Sequence, residues 1–304
     1  MPFQLTILGS NSAVPAYGRY TTAQVLQVKN RLYLIDCGEG TQTRLTDYNI
    51  SRRERIGQIF ISHLHGDHIF GLPGLLTSFS LNNRKKPLTI YSPAGLQEMI
   101  ETIFKYSQSH LSYDLKFVVV PTDESVQVFE NKDITVKTIP LDHRIPTTGY
   151  LFREKKKVQN IRPEKIEEYG IHYSKINAIK AGGDFTTEDG KVIPHEELTK
   201  APTPPRSFAF CSDTTYQESI VPIIKGVDLL YHETTYLDEA RDSAAKYGHS
   251  TAKEAATIAK MAEVGKLICG HYSSRYPKLD DMEAEAKSVF PNSELGLGGK
   301  CFSV

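Results

Sequence analysis

Apolar residues in this chain fall into short runs separated by polar or turn-forming positions. FQLTIL (3 to 8), AQVLQV (23 to 28), LYLID (32 to 36), QIFIS (58 to 62), LTIY (88 to 91), KFVVV (116 to 120) and ITVKTI (134 to 139) are each bounded by Gly, Pro, Asn or Asp, the mark of β-strands. Further on, SFAFCSD (207 to 213), VDLLYHE (227 to 233) and GKLICGH (265 to 271) alternate with TAKEAATIAKMAE and LDDMEAEAKSVF, whose pattern is helical. FVVV and LICG are apolar on both faces, which suits sheets buried between helices. Two such sheets face to face predict an α/β fold, a four-layer αββα sandwich. The 304 residues can bury one large core, so a single domain over 1–304 is expected.

One stretch breaks the pattern. From about 152 to 206 the chain is rich in Lys, Glu, Gly and Pro and poor in apolar periodicity, which reads as a flexible arm inserted into the domain. APTPPR, near its end, predicts an extended hinge, because Pro fixes φ and disfavours helix at the preceding residue.

Charge narrows the picture only a little. Basic and acidic residues balance at 36 each, so a nucleic-acid surface has to be a local patch. Cys37, Cys211, Cys269 and Cys301 lie far apart with no C-x-x-C pair, which predicts reduced, mostly buried thiols. MPFQLTILGS lacks a basic leader segment, and no apolar run approaches the roughly 18 residues a membrane span needs. A soluble, cytoplasmic protein with no membrane partner is the expectation.

Chemistry concentrates in SHLHGDH. His63, His65, Asp67 and His68 follow a strand on a tight loop, where Gly66 is expected to allow backbone geometry that a larger residue resists. Imidazole and carboxylate are the ligand types zinc accepts, and four within six residues exceed what one tetrahedral ion takes from a single loop. A pair of ions is the economical reading. Three more candidates stand at the ends of apolar strands: His143 after ITVKTIPLD, Asp213 ending FAFCSD and His271 ending LICGH. A lone histidine is more often a packed or surface residue, but strand ends converging on one edge are where α/β proteins tend to place their sites.

Several longer motifs accompany the cluster: SHLHGDH runs into IFGLPGLL, and the chain also contains LGSNSAVP, LIDCGEGTQ, CSDT, HETTY, GHSTAKEAA and GHYSSRY. In this combination the chain resembles the metallo-β-lactamase fold and, within it, the ribonuclease Z family of 3′ tRNA-processing endoribonucleases. The resemblance runs nearly end to end. It implies two zinc ions per subunit, one held by His63, His65 and His143, the other by Asp67, His68 and His271, with Asp213 bridging. Such a pair ionises a water for attack on a phosphodiester, and the family assigns Asp67 as proton acceptor. His249 of GHST, just before a helix that TAKE opens as a capping box from Thr251 to Glu254, is then the general acid. Glu233 matches the acid that pairs with this histidine and raises its pKa. His232 beside it, with His110, His172 and His195, is read as structural or surface.

The resemblance also implies precursor tRNA as substrate and a homodimer in which the arm of one subunit grips the tRNA cut by the other. Arg275 matches a position near the substrate phosphates, and Lys155, Lys156 and Lys157, with Arg162 and Lys165, offer a basic stripe for the RNA backbone. The chain departs from the family where relatives carry Gly-Pro near the arm tip and Arg-Asn near the start; here stand Gly182-Gly183 and Arg19-Tyr20. Two alternatives stand beside this reading: a small-molecule phosphodiesterase, arylsulfatase or lactonase of the same fold, and a catalytically idle RNA-binding protein that retains zinc.

Overall fold

The computed structural model describes residues 2–50, 53–157 and 159–304. Alternating apolar residues make strands β1 (Phe3–Gly9), β2 (Ala23–Val28), β3 (Arg31–Ile35), β4 (Ile56–Phe60), β5 (Leu88–Ser92) and β6 (Leu115–Val119). A second series follows: β7 (Gln127–Glu130), β8 (Ile134–Leu141), β9 (Thr147–Glu154), β10 (Ser207–Cys211), β11 (Leu229–Glu233), β12 (Lys266–Gly270), β13 (Ser293–Leu295) and β14 (Cys301–Ser303). They form two sheets, ordered β14-β1-β2-β3-β4-β5-β6 and β13-β12-β11-β10-β9-β8-β7.

The period of two decides which side each residue faces. Phe208 and Phe210 of β10 point between the sheets and meet Phe60, Tyr150, Phe152 and Tyr231, while Ala209 and Cys211 point outward. Phe60 stacks on Tyr91 at 4.8 Å and meets Tyr150 and Phe152 edge-on at 5.1 and 5.2 Å. Helices α1 (Leu72–Leu81) and α2 (Leu96–Ser107) cover the outer face of the first sheet through Leu72, Leu75, Leu76, Leu96 and Ile100. α3 (Ala252–Met261) and α4 (Asp280–Val289) cover the second through Ala252, Ala256, Ala259, Met282 and Ala286. This is the expected αββα sandwich. Within each sheet, β3 to β6 and β10 to β13 are parallel, so the strands of each set finish on one edge.

Residues Glu154–Pro205 form a compact unit apart from the remainder. The sequence boundary at 152 falls inside β9, because Phe152 packs between the sheets and β9 pairs with β10 as far as Arg153 and Ser207. The apparent lack of periodicity also conceals a small core. Ile171, Ile179, Ile193 and Leu198 are buried together; Ile171 sits in a loop, and the other three come from a helix of five residues, a strand of two and a helix of four, too short to show a repeat. Cys37, Cys211 and Cys269 are buried and unpaired as expected; Cys301, on edge strand β14, is exposed. Among the described residues, no helix is long and apolar enough to cross a membrane.

Candidate metal centre and active site

The seven candidate ligands come from four places in the chain and meet at one strand-end edge. His63 Nε2 lies 3.1 Å from His65 Nδ1, and His65 Nδ1 lies 3.3 Å from His143 Nε2. His68 Nε2 lies 3.3 Å from His271 Nε2 and 3.5 Å from Asp67 Oδ2. Asp213 stands between the two trios. Its Oδ2 is 3.5 Å from His63 and 3.8 Å from His143, and its Oδ1 is 3.3 Å from His68 and 3.2 Å from His271. One carboxylate thus turns an oxygen toward each group.

The imidazoles are fixed from behind, and the partners reveal which nitrogen is free. Asp36 Oδ1 accepts the Ser62 amide at 2.7 Å, and its Oδ2 accepts the Ser62 hydroxyl at 2.8 Å and His68 Nδ1–H at 2.7 Å. With its own proton so directed, Ser62 Oγ accepts His63 Nδ1–H at 3.0 Å. His143 Nδ1–H donates to the Gly248 carbonyl at 2.6 Å. His271 Nδ1–H donates to Thr235 Oγ1 at 2.9 Å, whose hydroxyl in turn donates to Glu233 Oε2 at 2.6 Å. Four imidazoles therefore turn Nε2 inward, and His65 turns Nδ1. Carboxylates and carbonyls behind histidines set tautomer and ring direction in this way at metal sites. Asp67 Oδ2 is steadied by the Ala13 amide at 2.7 Å.

Backbone strain accompanies this order. Asp36 (φ 54°), His271 (φ 61°) and Ala13 (φ 57°) are all in the left-handed region, which disfavours a side chain by about 1–2 kcal/mol. Gly66 is a different case from the one its sequence suggests. It begins the helical turn Gly66–Ile69 without a left-handed φ, and a Cβ there would stand 2.2 Å from the ring of Phe70, an exposed side chain that would have to turn aside. Gly248 needs both freedoms, with φ at 77° and a Cβ position 2.6 Å from His143 Nδ1.

Electrostatics divides the cluster. Burial, reinforced by His68 among its neighbours, holds His63 well below the usual imidazole range; burial lowers His65, with His143 adding to it, and burial lowers His143, with His249 adding to it. Burial opposes charge on His68 as well, but Asp213, Asp67 and Asp36 outweigh it and keep its pKa well above the usual range. Burial would raise Asp213, yet His271, His68 and His63 hold it well below the ordinary carboxylate range. Burial likewise opposes ionisation of Asp67, and His68 and His271 overcome it.

His249 Nδ1–H donates to Glu233 Oε1 at 2.9 Å. The fully buried Glu233 also accepts the amides of Thr214 and Thr235, both at 3.0 Å. Burial works against the His249 charge, but the Glu233 carboxylate and this hydrogen bond prevail and raise its pKa to about 9. The capping box is present: Thr251 accepts the Glu254 amide and Glu254 accepts the Thr251 amide, which fixes the start of α3 three residues beyond His249. His232 is buried with Nδ1 against the Glu233 carbonyl, a structural position.

Asp67, His65, His249, Asp213 and His271 line an open pocket of about 320 Å³, with Phe70 and Arg144 at its walls. Arg275 is exposed, its guanidinium 5.3 Å over the Tyr236 ring, which lies 6.1 Å from His249. The inserted unit holds its basic residues differently from a free stripe. Lys157 pairs with Glu154 at 3.3 Å, Lys165 with Glu168 at 2.8 Å, and Arg162 donates to the Thr199 carbonyl at 2.9 Å; Lys156 is exposed and Lys155 half-buried. Sequence reasoning missed Asp36, Ser62, Thr235 and Arg144. The strand-end position of Asp36 and the adjacency of Arg144 to His143 were the available signals.

A two-sheet sandwich with paired His/Asp clusters at its strand ends defines a metal-dependent hydrolase of the metallo-β-lactamase fold. The chain is 42% identical over 303 residues to the ribonuclease Z of Parabacteroides distasonis, covering 99% of each protein. It superposes on the crystal structure of human tRNase Z, short form, with TM-score 0.72 and 28% identity over 99% of both chains. The metallo-β-lactamase fold protein YhfI of Bacillus subtilis shares the fold at TM-score 0.68 and 19% identity, covering 100% of both. A family model described as anti-Pycsar protein Apyc1 matches residues 3–159, which hold His63 to His143 but end before Asp213, Glu233, His249 and His271. The chain belongs to the ribonuclease Z family.

Proposed function

We propose that this chain is a zinc-dependent endoribonuclease that removes the 3′ trailer from precursor tRNA, leaving a 3′-hydroxyl on the tRNA and a 5′-phosphate on the trailer. The observation that carries the reading is the placement of two ligand trios sharing Asp213 beside a charged His249–Glu233 pair on one pocket, in a chain with ribonuclease Z relatives over its full length. The donor set fits a pair of divalent ions: each group offers atoms within 4.8 Å of one another, and the inward ring nitrogens are what such ions coordinate, where binding would displace the proton that Asp213, Asp67 and Asp36 favour on His68. His63, His65 and His143 would hold one zinc, Asp67, His68 and His271 the other, with Asp213 serving both.

Bound ions supply Lewis acidity, ionising the attacking water and offsetting charge on the phosphoryl oxygens. Asp67, with its carboxylate kept ionised, orients that water and takes its proton. The bond to phosphorus forms as the bond to the 3′ oxygen breaks, and the pair of electrons leaves on that oxygen. His249 delivers a proton to it from Nε2, because Nδ1 is committed to Glu233. Arg275 on the rim beside Tyr236 contacts substrate phosphate, and Lys155, Lys156 and Lys157 meet the tRNA backbone. A cytoplasmic homodimer is supported by the family and by a helical stripe on α2, where Met99, Ile103 and Tyr106 are exposed at spacings of four and three.

The deciding experiment is cleavage of a trailer-bearing tRNA transcript by the purified protein, with metal content measured on the same sample. Cleavage at the 3′ end of the tRNA that stops with chelator and returns with zinc is expected. Full activity in metal-free protein would overturn the assignment.

A further inference from the structure

A second cavity, of about 830 Å³, opens where the strands of the first sheet begin. Its wall is made by the β2–β3 turn, the start of β4, the approach to β5 and the β7–β8 turn. The metal ligands follow the far ends of these strands. Five residues of β3 or β4 separate the two edges by roughly 17 Å.

Six cations line this cavity, Lys29, Arg31, Arg55, Arg84, Lys86 and Lys132, against two acids, Glu54 and Asp133. Asp133 is taken by Lys29 at 2.5 Å. Among the described residues, the other five cations make no ion pair with a carboxylate. Arg84 is the informative one. Only 6% exposed, it donates to the carbonyls of Lys86 at 2.7 Å and Pro87 at 2.9 Å, and its Nη1 has no acceptor. The rings of Phe79 and Tyr113 flank it at 5.2 and 5.4 Å. A guanidinium keeps its proton under such conditions; its hydrogen-bond acceptors are neutral carbonyls, and Glu54 acts on it only through space, without a direct ion pair. A buried charge so thinly balanced is costly, and a bound anion would offset it.

We infer that this cavity binds a compact, multiply charged phosphate compound of the polyphosphate or nucleoside triphosphate class. Three arginines favour phosphate, whose oxygens match the guanidinium fork. The volume falls within the range of small-molecule sites. The cations also surround one concavity from four separate chain segments, whereas an RNA track would string them along a ridge. The inference stands apart from the catalytic assignment, since it concerns the opposite edge of the sheet and is read by binding alone.

The test is calorimetric titration of tripolyphosphate into the metal-loaded wild type and into Arg31→Glu/Lys132→Glu, at one salt concentration and with metal content checked before and after. Wild type should bind saturably and the double variant at least about tenfold more weakly, while cleavage of precursor tRNA stays within about twofold. Arg31→Gln/Lys132→Gln removes the charges without adding new ones and should weaken binding in the same direction. Equal affinity in wild type and both variants overturns the inference, since the ligand is then held elsewhere, at the metal centre for example. So does a short single-stranded oligoribonucleotide that binds more tightly than tripolyphosphate and loses affinity in the same variants, which would make the surface part of an RNA path.

Discussion

At the strand-end edge almost every candidate functional side chain is held by a second residue, whereas among the basic side chains of Glu154–Pro205 some pair with close neighbours in sequence and Lys156 stands exposed. His68 leans on Asp36, His271 on Thr235, His143 on the Gly248 carbonyl and His249 on Glu233. In the inserted unit, Lys165 and Lys157 pair with neighbours three residues away in sequence. The difference follows from what each region has to do. Ligands and proton donors must sit within about 0.5 Å of a working position, while attraction to a polyanion is long-ranged and tolerates loose geometry.

Breaking the ordered side should have the largest effect. Asp213→Ala removes the one carboxylate that faces both trios, so turnover of precursor tRNA and of a small phosphodiester should both fall on the order of 10³-fold or more, with metal content reduced; retention of either activity contradicts the shared-ligand reading. Deleting 155–200 tests the other side of the contrast. Cleavage of precursor tRNA should be abolished and hydrolysis of bis(p-nitrophenyl) phosphate spared, and equal loss of both would show the unit to be structural support.

His249→Ala should slow tRNA cleavage by about 10²–10⁴-fold, with far less effect on a substrate whose leaving group needs no proton. The pH profile sharpens this. A general acid is active below its pKa, and His249 is raised to about 9 by Glu233 against the pull of burial, so the rate should fall as pH rises through about 9. In Glu233→Gln the raising charge is gone, and the alkaline limb should move to lower pH; an unmoved limb would show that another group sets it. The smallest expected effect belongs to Asp36→Asn, which keeps the shape behind His68 and weakens the charge. Metal affinity should drop by about 10–100-fold, read by competition with a chelator, with little change in melting temperature once metal is saturating.

Much of the ordered side was legible in the sequence because the information is local. SHLHGDH writes four candidate ligands into six positions, and His143, Asp213 and His271 each end an apolar run that the eye can pick out. What lay behind them was hidden, since Asp36 meets His68 across 32 residues and Ser62 meets Ser212 across 150, separations that no pattern announces. Gly66 shows the same limit in miniature: the sequence suggested a special backbone geometry there, and the coordinates show instead an ordinary helical start beside the exposed Phe70 ring. In the inserted unit the small core around Ile179 and Leu198 escaped notice because its elements are shorter than the period used to find them.

One consequence follows from Glu233. The same carboxylate reaches His249 directly through one oxygen and His271 through Thr235 with the other. Under the proposed roles, proton delivery and metal grip share a single anchor, so drift at this position would damage both at once. On that reading, changes of substrate preference fall to the rim of the pocket, at Phe70 or Arg144, while the paired side chains beneath stay as they are.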